Sequence, residues 1–570
     1  MKNQEVAKIF RDIAKILDFQ GDNPFRIRAY ERASQNIESI PEDIELLWKE
    51  NRLTEISGIG KDLANKIGEI ITTGTLSQYE ELKKKVPPGI LQMMEIPGLG
   101  PKTVKLIYEK LKIDNIDDLE KAAKNGKLHY LERIKEKTEE NILRGIEIIR
   151  KGKERLPLYL ALNTANRFIE ELKKIVGFKE IEVAGSLRRR KDTIRDIDIL
   201  VVSSNPQKVM DKFVNLDLVK EVLAKGETKS SVLAKESNIQ VDLRVVEEDS
   251  FGSALMYFTG SKQFNIKVRQ YAIKKGYKIN EYGVFKGERK LVSKSEDEIF
   301  EFFKMQFIPP ELREDRGEIE LALEKALPHL VEMGQIKGDF HVHSIYSDGA
   351  SSLEAIGEKA KDLGYQYIGI SDHSQSLKVA HGVDKEKLYE KIDTIRKINR
   401  KLKTVTVLCG AEVDILSDGK LDYPDSILKE LDIVIAAIHT GFKQSKEVIT
   451  KRIISACKNK YVNIIAHPTG RLWGVREPYD VDLDEIFKVA RDYRVALEIN
   501  CYHQRLDLND IDALRAKEAG IKLALGTDAH ILEQLHLINL GVSLARRAWL
   551  GKDNLLNCMS LEELRKWLKK

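Results

Sequence analysis

Three aspartates lie in two hydrophobic runs with the spacing of a metal-dependent phosphoryl-transfer site. Asp196 and Asp198 stand two residues apart in the run RDIDILVV, and Asp242 lies in a second run, Ile239 to Val246. Residues i and i+2 of a strand point to the same face, so the first run predicts two adjacent carboxylates, and a strand paired alongside could add the third. Crowded carboxylates need cations, and such oxygen ligands suit Mg²⁺ that also holds substrate phosphates. The alternative is that these acids are strand-edge charges that discourage aggregation.

A short segment ahead of these acids has the composition of a phosphate-binding turn. Gly185 and Ser186 form a small-residue pair, and Asp196 follows ten residues after Ser186. Four cations come between them, Arg188, Arg189, Arg190 and Lys191. Backbone N–H groups in such a turn can hold a triphosphate, and arginine binds phosphate through paired hydrogen bonds. The turn favours phosphoryl transfer over edge charges.

These residues resemble the nucleotidyltransferase palm, and more closely the family X DNA polymerases typified by polymerase beta. The resemblance extends to YFTGSKQFNIKVR, residues 257–269, which in that family forms the nucleotide pocket. It implies that Asp196, Asp198 and Asp242 are catalytic and hold two Mg²⁺ ions. It implies dNTP contacts for Gly185, Ser186, Arg189, Tyr257, Phe258, Gly260 and Asn265, and a template-strand contact for Arg269. Lys262 stands where polymerase beta has an acid, and Tyr257 with Phe258 could instead be core aromatics.

The N-terminal 150 residues read as helices separated by short glycine turns. Two segments share an h-x-G-h-G pattern followed by an amphipathic helix, ISGIGKDLANKI from Ile56 and IPGLGPKTVKLI from Ile96. They resemble helix-hairpin-helix motifs, whose glycines turn the chain and expose amides that bind a DNA phosphate without reading sequence. The glycines concerned are Gly58, Gly60, Gly98 and Gly100. Ordinary helical turns also contain G-x-G, but the repetition ahead of a polymerase-like sheet favours DNA binding.

Lys66, within the first motif, aligns with the Schiff-base lysine of the resembling family. A deprotonated lysine can attack the aldehyde of a deoxyribose phosphate and permit elimination of the 5′ phosphate. Asp62 occupies a position where polymerase beta carries another lysine. Lys66 is therefore either a catalytic lyase residue or a solvated helix lysine of a lysine-rich chain.

From Gly338 the chain alternates apolar runs with amphipathic segments, which predicts a parallel β/α architecture. Seven strand candidates appear, GDFHVHS, YIGISDH, TVLCGAEVDI, IVIAAIHT, VNIIAHP, ALEIN and LALGTDAH. Strand C-termini converge at one mouth of a β/α barrel. The polar residues expected there are His341, His343, Asp348, His373, Glu412, His439, His467, Asp528 and His530. Six histidines at strand ends indicate a metal site rather than packing.

This pattern resembles the polymerase and histidinol phosphatase (PHP) domain, with its H-x-H, D-H, G-x-E, H, H-P and D-x-H motifs all present. The resemblance implies up to three ions such as Zn²⁺ or Mn²⁺, with Glu412 as the candidate bridging ligand. Arg471 and Arg505 follow strand ends and could either bind a phosphate or be ordinary loop charges.

Composition agrees with a multidomain intracellular enzyme. The 570 residues exceed one ordinary domain, and Lys+Arg 95 against Asp+Glu 90 leaves a net charge of only +5, so any nucleic-acid surface must be local. The four cysteines lack C-x-x-C spacing, which indicates reduced thiols. With no signal peptide or long apolar segment recognised, we expect a cytoplasmic monomer with no membrane partner.

The expected fold is multidomain, with helical helix-hairpin-helix domains, an α+β nucleotidyltransferase palm and a C-terminal distorted (β/α)7 barrel. Expected boundaries are 1–88 (lyase-like), 89–150 (duplex-binding), 151–315 (palm and nucleotide selection), 316–336 (linker) and 337–570 (PHP).

The resemblances imply a DNA polymerase that uses dNTPs to fill short gaps in gapped or primed duplex DNA during repair. They also imply a PHP phosphoesterase acting as 3′-to-5′ exonuclease, abasic-site endonuclease or 3′-phosphatase. Two rivals remain. One is a non-templated nucleotidyltransferase with a small-molecule phosphoesterase domain, and the other is a DNA-binding scaffold with decayed sites.

Overall fold

The computed structural model describes residues 2–39, 44–56, 58–96, 99–132, 134, 138–140, 142–143, 145–146, 155–174, 178–473, 476 and 478–569. The chain forms two compact units, Met1–Arg155 and Leu156–Lys570. The first unit is helical, and the second contains every strand described.

The first unit consists of short helices around one apolar core. Its described helices are α1 (Lys2–Gln20), α2 (Pro24–Ser39), α3 (Ile44–Lys49), α4 (Lys61–Thr73), α5 (Ser77–Lys84), α6 (Pro88–Met93), α7 (Pro101–Leu111) and α8 (Ile116–Lys124). In α4, Leu63, Ile67, Ile70 and Ile71 recur at helical spacing and are buried. The helix ends at Gly74, whose φ of 80° is the left-handed conformation common after a helix C-terminus.

The second unit begins with a mixed five-stranded sheet. Its strands are β2 (Phe178–Val183), β4 (Asp196–Ser203), β5 (Val219–Lys225), β6 (Lys229–Ala234) and β7 (Gln240–Val246), in the order β2-β4-β7-β6-β5. A short pair, β1 (Leu156–Pro157) and β3 (Thr193–Ile194), lies beside it. Only β4 and β7 run parallel within this sheet. Ile197, Ile199 and Val201 of β4 are fully buried, as the alternating pattern predicts.

Helices and a small antiparallel sheet complete this part of the unit. The helices are α9 (Leu158–Lys173), α10 (Gly185–Arg188), α11 (Pro206–Val214), α12 (Phe251–Thr259), α13 (Lys262–Lys274) and α14 (Glu296–Phe302). The small sheet contains β8 (Lys278–Asn280), β9 (Gly283–Lys286) and β10 (Arg289–Val292). Together, α12 and α13 carry the segment 257–269.

Residues 316–336 connect the two halves and contain α15 (Glu318–Leu323). Ile319, Ala322 and Leu327 of this stretch are buried in one apolar cluster with Phe264 of α13 and Trp549 from the C-terminal part of the chain. The connecting stretch is therefore packed against both halves of the unit.

A seven-stranded parallel sheet forms the C-terminal barrel. Its strands are β11 (Gly338–Val342), β12 (Tyr367–Ile370), β13 (Thr406–Asp414), β14 (Ile433–Ala437), β15 (Ile464–Ile465), β16 (Ala496–Asn500) and β17 (Leu523–Gly526), in sequential order. A parallel bridge between Val342 and Ala529 brings the first and last strands together. All seven predicted strands are present, which confirms the expected β/α barrel.

The barrel helices are α16 (Leu353–Asp362), α17 (Lys385–Lys401), α18 (Asp425–Leu428), α19 (Lys446–Cys457), α20 (Leu483–Asp492), α21 (Asp510–Glu518), α22 (Ile538–Arg547) and α23 (Leu561–Leu568). One continuous apolar cluster joins the five-stranded sheet to the barrel, with members such as Phe168 of α9 and Leu540 of α22. Among the described residues, no helix is both long and apolar enough to cross a membrane.

Candidate active sites

The three aspartates meet on one face of the β4–β7 pair, and we call Asp196, Asp198 and Asp242 the acid site. Asp198 and Asp242 are direct partners in the parallel register. Asp196 lies two residues before Asp198 and so shares its face. Burial, together with the charges of Asp196 and Asp242, raises the pKa of Asp198 to about 7. Such crowding of carboxylates fits a site that takes up cations.

Asp242 has two polar partners that the sequence did not suggest. Its Oδ1 accepts a hydrogen bond from Gln240 Nε2 at 2.8 Å, and its Oδ2 lies 3.5 Å from Lys229 Nζ. Gln240 is two residues from Asp242 on β7, so strand alternation could have suggested it. Lys229 reaches the site through the β6–β7 pairing, which is not visible in the sequence.

Gly185 stands directly against the acid site. Its φ is +61°, and a Cβ at this position would lie 2.4 Å from Asp198 Oδ2. The backbone N–H of Ala184 donates to Asp198 O at 2.8 Å, which ties the turn to β4. Only glycine fits here, and Ser186 follows at the edge of the same site.

Arg189 is buried, and two of its side-chain nitrogens donate hydrogen bonds within the protein. Its Nε donates to Glu314 Oε1 at 3.0 Å, and its Nη1 donates to Thr259 O. A Cβ on Gly260 would lie 3.2 Å from Arg189 Nη1, so the arginine adjoins the T-G-S turn. Arg189, which the sequence predicts to bind the triphosphate, is therefore paired with the carboxylate of Glu314 in this structure.

The segment 257–269 forms a pocket wall of aromatic and cationic groups. The rings of Tyr257 and Phe258 lie edge to face at 5.0 Å. The guanidinium of Arg269 lies 5.0 Å from the Tyr257 ring centroid, and that of Arg244 lies 4.4 Å from the Phe258 ring centroid. Asn265 Nδ2 donates to Tyr257 O at 2.6 Å. Tyr257, Asn265 and Arg269 line one narrow cavity.

A second group of polar residues lies at the C-terminal ends of the barrel strands, and all nine residues predicted for the barrel mouth are in it. We call this group the histidine cluster: His341, His343, Asp348, His373, Glu412, His439, His467, Asp528 and His530. Glu412 is central. Its Oε2 lies 2.8 Å from His373 Nδ1 and 3.4 Å from His341 Nε2, and its Oε1 lies 2.9 Å from His467 Nε2.

The donor geometry of the histidine cluster fits metal ions. Eight of its members form three overlapping sets whose ligand atoms lie within 4.8 Å of one another: His343, Asp348, His373 and His530; His341, His343 and Asp528; and His373, Glu412 and His439. No such set occurs elsewhere among the described residues. The buried atoms His341 Nε2, His343 Nδ1 and Glu412 Oε2 lack hydrogen-bond partners within the described structure. Histidine nitrogens with carboxylates suit borderline divalent metals.

Two further carboxylates contact the Nδ1 atoms of two cluster histidines and orient their rings. Glu498 Oε1 lies 2.7 Å from His341 Nδ1, and Asp414 Oδ1 lies 2.5 Å from His439 Nδ1. Carboxylates in this position fix the ring orientation of a metal-binding histidine and raise its basicity. Sequence reasoning missed both. Asp414 could have been found, because it stands two residues after Glu412 on the same strand.

Electrostatics shift the pKa values of the cluster histidines in opposite directions. Burial opposes ionisation of Glu412, yet the charges of His439 and His341 hold the pKa of its carboxyl well below the ordinary value. Burial and the neighbouring His373 lower the pKa of His343 to about 4. Burial opposes the charge of His341 and His439, but neighbouring carboxylates raise the pKa of His341 well above its ordinary value and that of His439 to about 10, so a metal ion must displace protons from these two rings.

Comparison with known proteins gives the family. The chain is 40% identical over 574 residues to the DNA polymerase/3'-5' exonuclease PolX of Bacillus subtilis, and the match covers 100% of both chains. Residues 254–314 match the DNA polymerase beta thumb model and residues 339–501 match the PHP domain model. The chain belongs to the family X DNA polymerases with a C-terminal PHP domain. It is thus an enzyme of that family.

Other relatives match the PHP domain alone. A probable phosphatase of Thermoanaerobacter sp. (strain X514) is 32% identical over 231 residues, which cover 38% of this chain and 89% of that protein. A probable phosphatase of Caldanaerobacter subterraneus is 31% identical over 243 residues, covering 40% and 90% respectively.

The N-terminal region of the polymerase matches two helix-hairpin-helix models, at residues 1–76 and 90–147. Gly58 has a φ of 81°, and Gly60 and Gly100 are the N-cap residues of α4 and α7. Because glycine has no side chain, neither N-cap offers a side-chain acceptor to the first amides of its helix, and a phosphate could bind these amides. Gly98 lies outside the described residues.

Lys66 of the first helix-hairpin-helix region is paired. Its Nζ lies 2.6 Å from Asp62 Oδ2 and donates to Tyr30 Oη at 2.9 Å. Partial burial opposes the charge of Lys66, but the hydrogen bonds to Asp62 and Tyr30 raise its pKa above the ordinary value. The structure therefore holds Lys66 as an ammonium ion.

The two arginines near the PHP site have different surroundings. Arg471 donates through Nη1 to Asp192 of the palm at 3.0 Å, and through Nε to Arg505 O at 2.9 Å. It is a bridge between the domains. Arg505 Nε lies 3.3 Å from Asp528 Oδ2, and its buried Nη1 has no hydrogen-bond partner among the described residues.

Proposed function

We propose that this protein is a DNA polymerase that fills short gaps in primed duplex DNA during repair. The observation that carries the proposal is the in-register pairing of Asp198 with Asp242, beside Gly185 and the pocket of residues 257–269. The resemblance to a DNA polymerase along the whole chain supports it.

The acid site is the proposed position of two Mg²⁺ ions. Bound Mg²⁺ supplies Lewis-acid stabilisation of the triphosphate charge. Asp242 is the proposed proton acceptor for the primer 3′ hydroxyl. Its Oδ1 accepts a hydrogen bond from Gln240 at 2.8 Å, whereas Oδ2 has only the longer contact of 3.5 Å with Lys229 Nζ, so Oδ2 is the atom proposed to accept the proton.

Substrate recognition is assigned to the groups around the acid site. Ser186 and Arg189 are proposed to bind the triphosphate. Tyr257 and Phe258 are proposed to contact the sugar, Asn265 the base edge and Arg269 the template strand. The first amides of α4 and α7, which have no side-chain cap, are proposed to bind backbone phosphates of gapped DNA, which positions the duplex without reading its sequence.

The PHP domain is proposed to hydrolyse phosphoesters at 3′ DNA ends or abasic sites. Its nine-residue histidine cluster would hold Zn²⁺ or Mn²⁺, which supply Lewis acidity and lower the pKa of water. Glu498 and Asp414 orient His341 and His439 for that task. Arg505, with a buried and unpartnered Nη1 beside Asp528, is proposed to bind the substrate phosphate.

The test of the polymerase assignment compares dNTP incorporation on a gapped duplex and on a single strand of the same primer. We expect incorporation of the templated nucleotide on gapped DNA and little on the single strand. Equal, template-independent addition on both would show a non-templated nucleotidyltransferase instead.

A lyase role for Lys66 stays a prediction outside this proposal. The ammonium form that Asp62 and Tyr30 stabilise is not nucleophilic, so lyase chemistry needs prior loss of a proton from Nζ.

A further inference from the structure

The nucleotide-binding arginine proposed above is held by a carboxylate that also belongs to an interdomain contact. Arg189 Nε and Glu314 Oε1 are 3.0 Å apart, and each side chain is only 11% exposed. This buried ion pair holds the Nε edge of the Arg189 guanidinium within the protein, so Glu314 competes with a triphosphate for this side chain.

A second arginine, from the PHP domain, reaches the same carboxylate. Arg547 of α22 lies 3.1 Å from Glu314 Oε1, and its Nη1 donates to Arg189 O at 2.6 Å. Asp510 Oδ2 accepts from Arg547 Nη2 at 2.7 Å and anchors it. Arg547 is 2% exposed, so this contact is shielded from water and salt.

The role of Arg547 follows from the charge of the buried carboxylate of Glu314. A buried carboxylate that loses its counter-ion is strongly destabilised. If Arg189 turned toward a triphosphate and Glu314 had no other cation, that loss would oppose the movement. With Arg547 in place, Glu314 keeps a counter-ion throughout, and the backbone of Arg189 keeps its hydrogen bond.

We propose that Arg547 is a positioning residue for nucleotide binding: it keeps Glu314 neutralised and fixes the Arg189 backbone, so that the Arg189 side chain can be released to the triphosphate. The proposal rests on the proposed polymerase function. It makes the PHP domain a contributor to dNTP affinity, at a point separate from its own histidine cluster.

The test replaces Arg547 by methionine, which keeps most of the side-chain volume. We expect KM for dATP on gapped DNA to rise about 10-fold, the scale of one charge-assisted hydrogen bond, with kcat nearly unchanged. The Kd of dATP should rise equally on a gapped duplex with a dideoxy-terminated primer, where no turnover occurs.

Glu314→Gln in the same protein supplies the decisive control. A neutral amide no longer holds Arg189, so Arg547→Met combined with Glu314→Gln should recover most of the lost affinity. Arg547→Lys should fall between the unsubstituted protein and Arg547→Met. A purely structural role for Arg547 would not give this rescue.

Arg546→Met is the matched surface control. Arg546 is the next residue of α22 and also joins the domains, through Glu311 Oε1 at 2.7 Å, but it touches neither Arg189 nor Glu314. It should leave KM and Kd unchanged. Equal losses for Arg546→Met and Arg547→Met, or no rescue by Glu314→Gln, would overturn the proposal.

The two measurements separate this inference from the proposed function. If the unsubstituted protein binds dATP but does not extend a primer, the polymerase function is wrong, while the binding series still decides the role of Arg547. If it binds no dATP on gapped DNA, both are overturned.

Discussion

The acid site and the histidine cluster differ in how their charged groups are arranged. In the acid site three carboxylates share one strand face, and their mutual repulsion with burial raises the pKa of Asp198 to about 7. In the histidine cluster a central carboxylate is surrounded by imidazoles, and their charges hold the pKa of Glu412 well below its ordinary value.

This difference indicates when each site becomes complete. In the histidine cluster, Glu498 and Asp414 hold the rings of His341 and His439 in position, so we infer that its metal-binding atoms are in place before substrate arrives. The acid site has an excess of like charge, which Arg244 and Lys229 offset only in part. We infer that it reaches its working arrangement only when ions and nucleotide enter.

The largest effect is expected from Asp242→Asn, a substitution that changes the acid site and leaves the histidine cluster intact. Asp242→Asn removes a carboxylate oxygen from the acid site, so nucleotide addition should fall about 10³-fold or more, as for other acid–base and electrostatic groups. DNA affinity should hold, because it comes mainly from phosphate contacts. Primer extension and DNA binding measure this, with the exposed Asp211→Asn as control; near-normal extension would refute the acid-site assignment.

The reciprocal substitution should remove only hydrolysis. His341→Ala with His343→Ala deletes donors from two of the three ligand sets, so bound Zn²⁺ or Mn²⁺ and phosphoester hydrolysis should both be lost while gap filling survives. Metal analysis measures the bound ions, and an assay on 3′ DNA ends measures hydrolysis. The exposed His381→Asn serves as the control. Folding is checked first, because bound metal stabilises its domain. Normal hydrolysis by a folded variant would leave the cluster with another role.

A milder change probes the preassembly of the histidine cluster. Glu498→Gln keeps the size of the side chain but weakens its hold on His341 Nδ1, so metal affinity should fall by about 10- to 100-fold. Competition with a metal-binding dye measures the affinity, and the unchanged primer extension of the variant serves as internal control. An unaltered affinity would show that the carboxylate behind His341 has no tuning role.

Stability without metal should respond with opposite sign at the two sites. In chelator-treated protein, Asp198→Asn relieves repulsion and should raise the free energy of unfolding by about 1 kcal/mol, a typical scale for one substitution. Glu412→Gln removes the partner of several imidazoles and should lower it. Denaturant unfolding provides the measurement, and changes of the same sign would contradict the comparison.

The smallest effect is expected at the ion pair between Lys66 and Asp62, which lies outside both sites. Here one cation and one anion neutralise each other without metal. Asp62→Asn removes a contact that raises the pKa of Lys66, so the free amine should appear at lower pH. Borohydride trapping on an abasic-site oligonucleotide should increase with pH, and the Asp62→Asn curve should shift to lower pH. Lys66→Ala should trap nothing; equal trapping would identify another amine.

The sequence predicted which residues come together at both sites, because these residues occupy periodic positions of strands. Asp196 with Asp198 follows the two-residue repeat, and each histidine ends an apolar run whose neighbours are parallel. Such signals are local. The nine cluster residues meet because one barrel mouth collects all strand ends.

The supporting residues could not be predicted, because their partners are distant in the chain. Glu314 is 125 residues from Arg189, and Arg547 is 358 residues from it. Nothing in the local pattern of Arg547, a charged residue at the end of an amphipathic helix, indicates that it is 2% exposed. Glu498 was also missed, because its polar role depends on His341, 157 residues away.

The buried arginines of the PHP domain limit how far this protein is modular. Barrel-only relatives show that this type of domain can exist as a separate chain. Here, however, Arg547 and Arg471 find acceptors in Glu314 and Asp192 of the polymerase half. Separation of the two halves within residues 316–336 would remove both contacts, although Arg547 would keep Asp510 as a partner and Glu314 would keep Arg189. The boundary near residue 156, where the chain divides into two compact units, is therefore a better place to divide it.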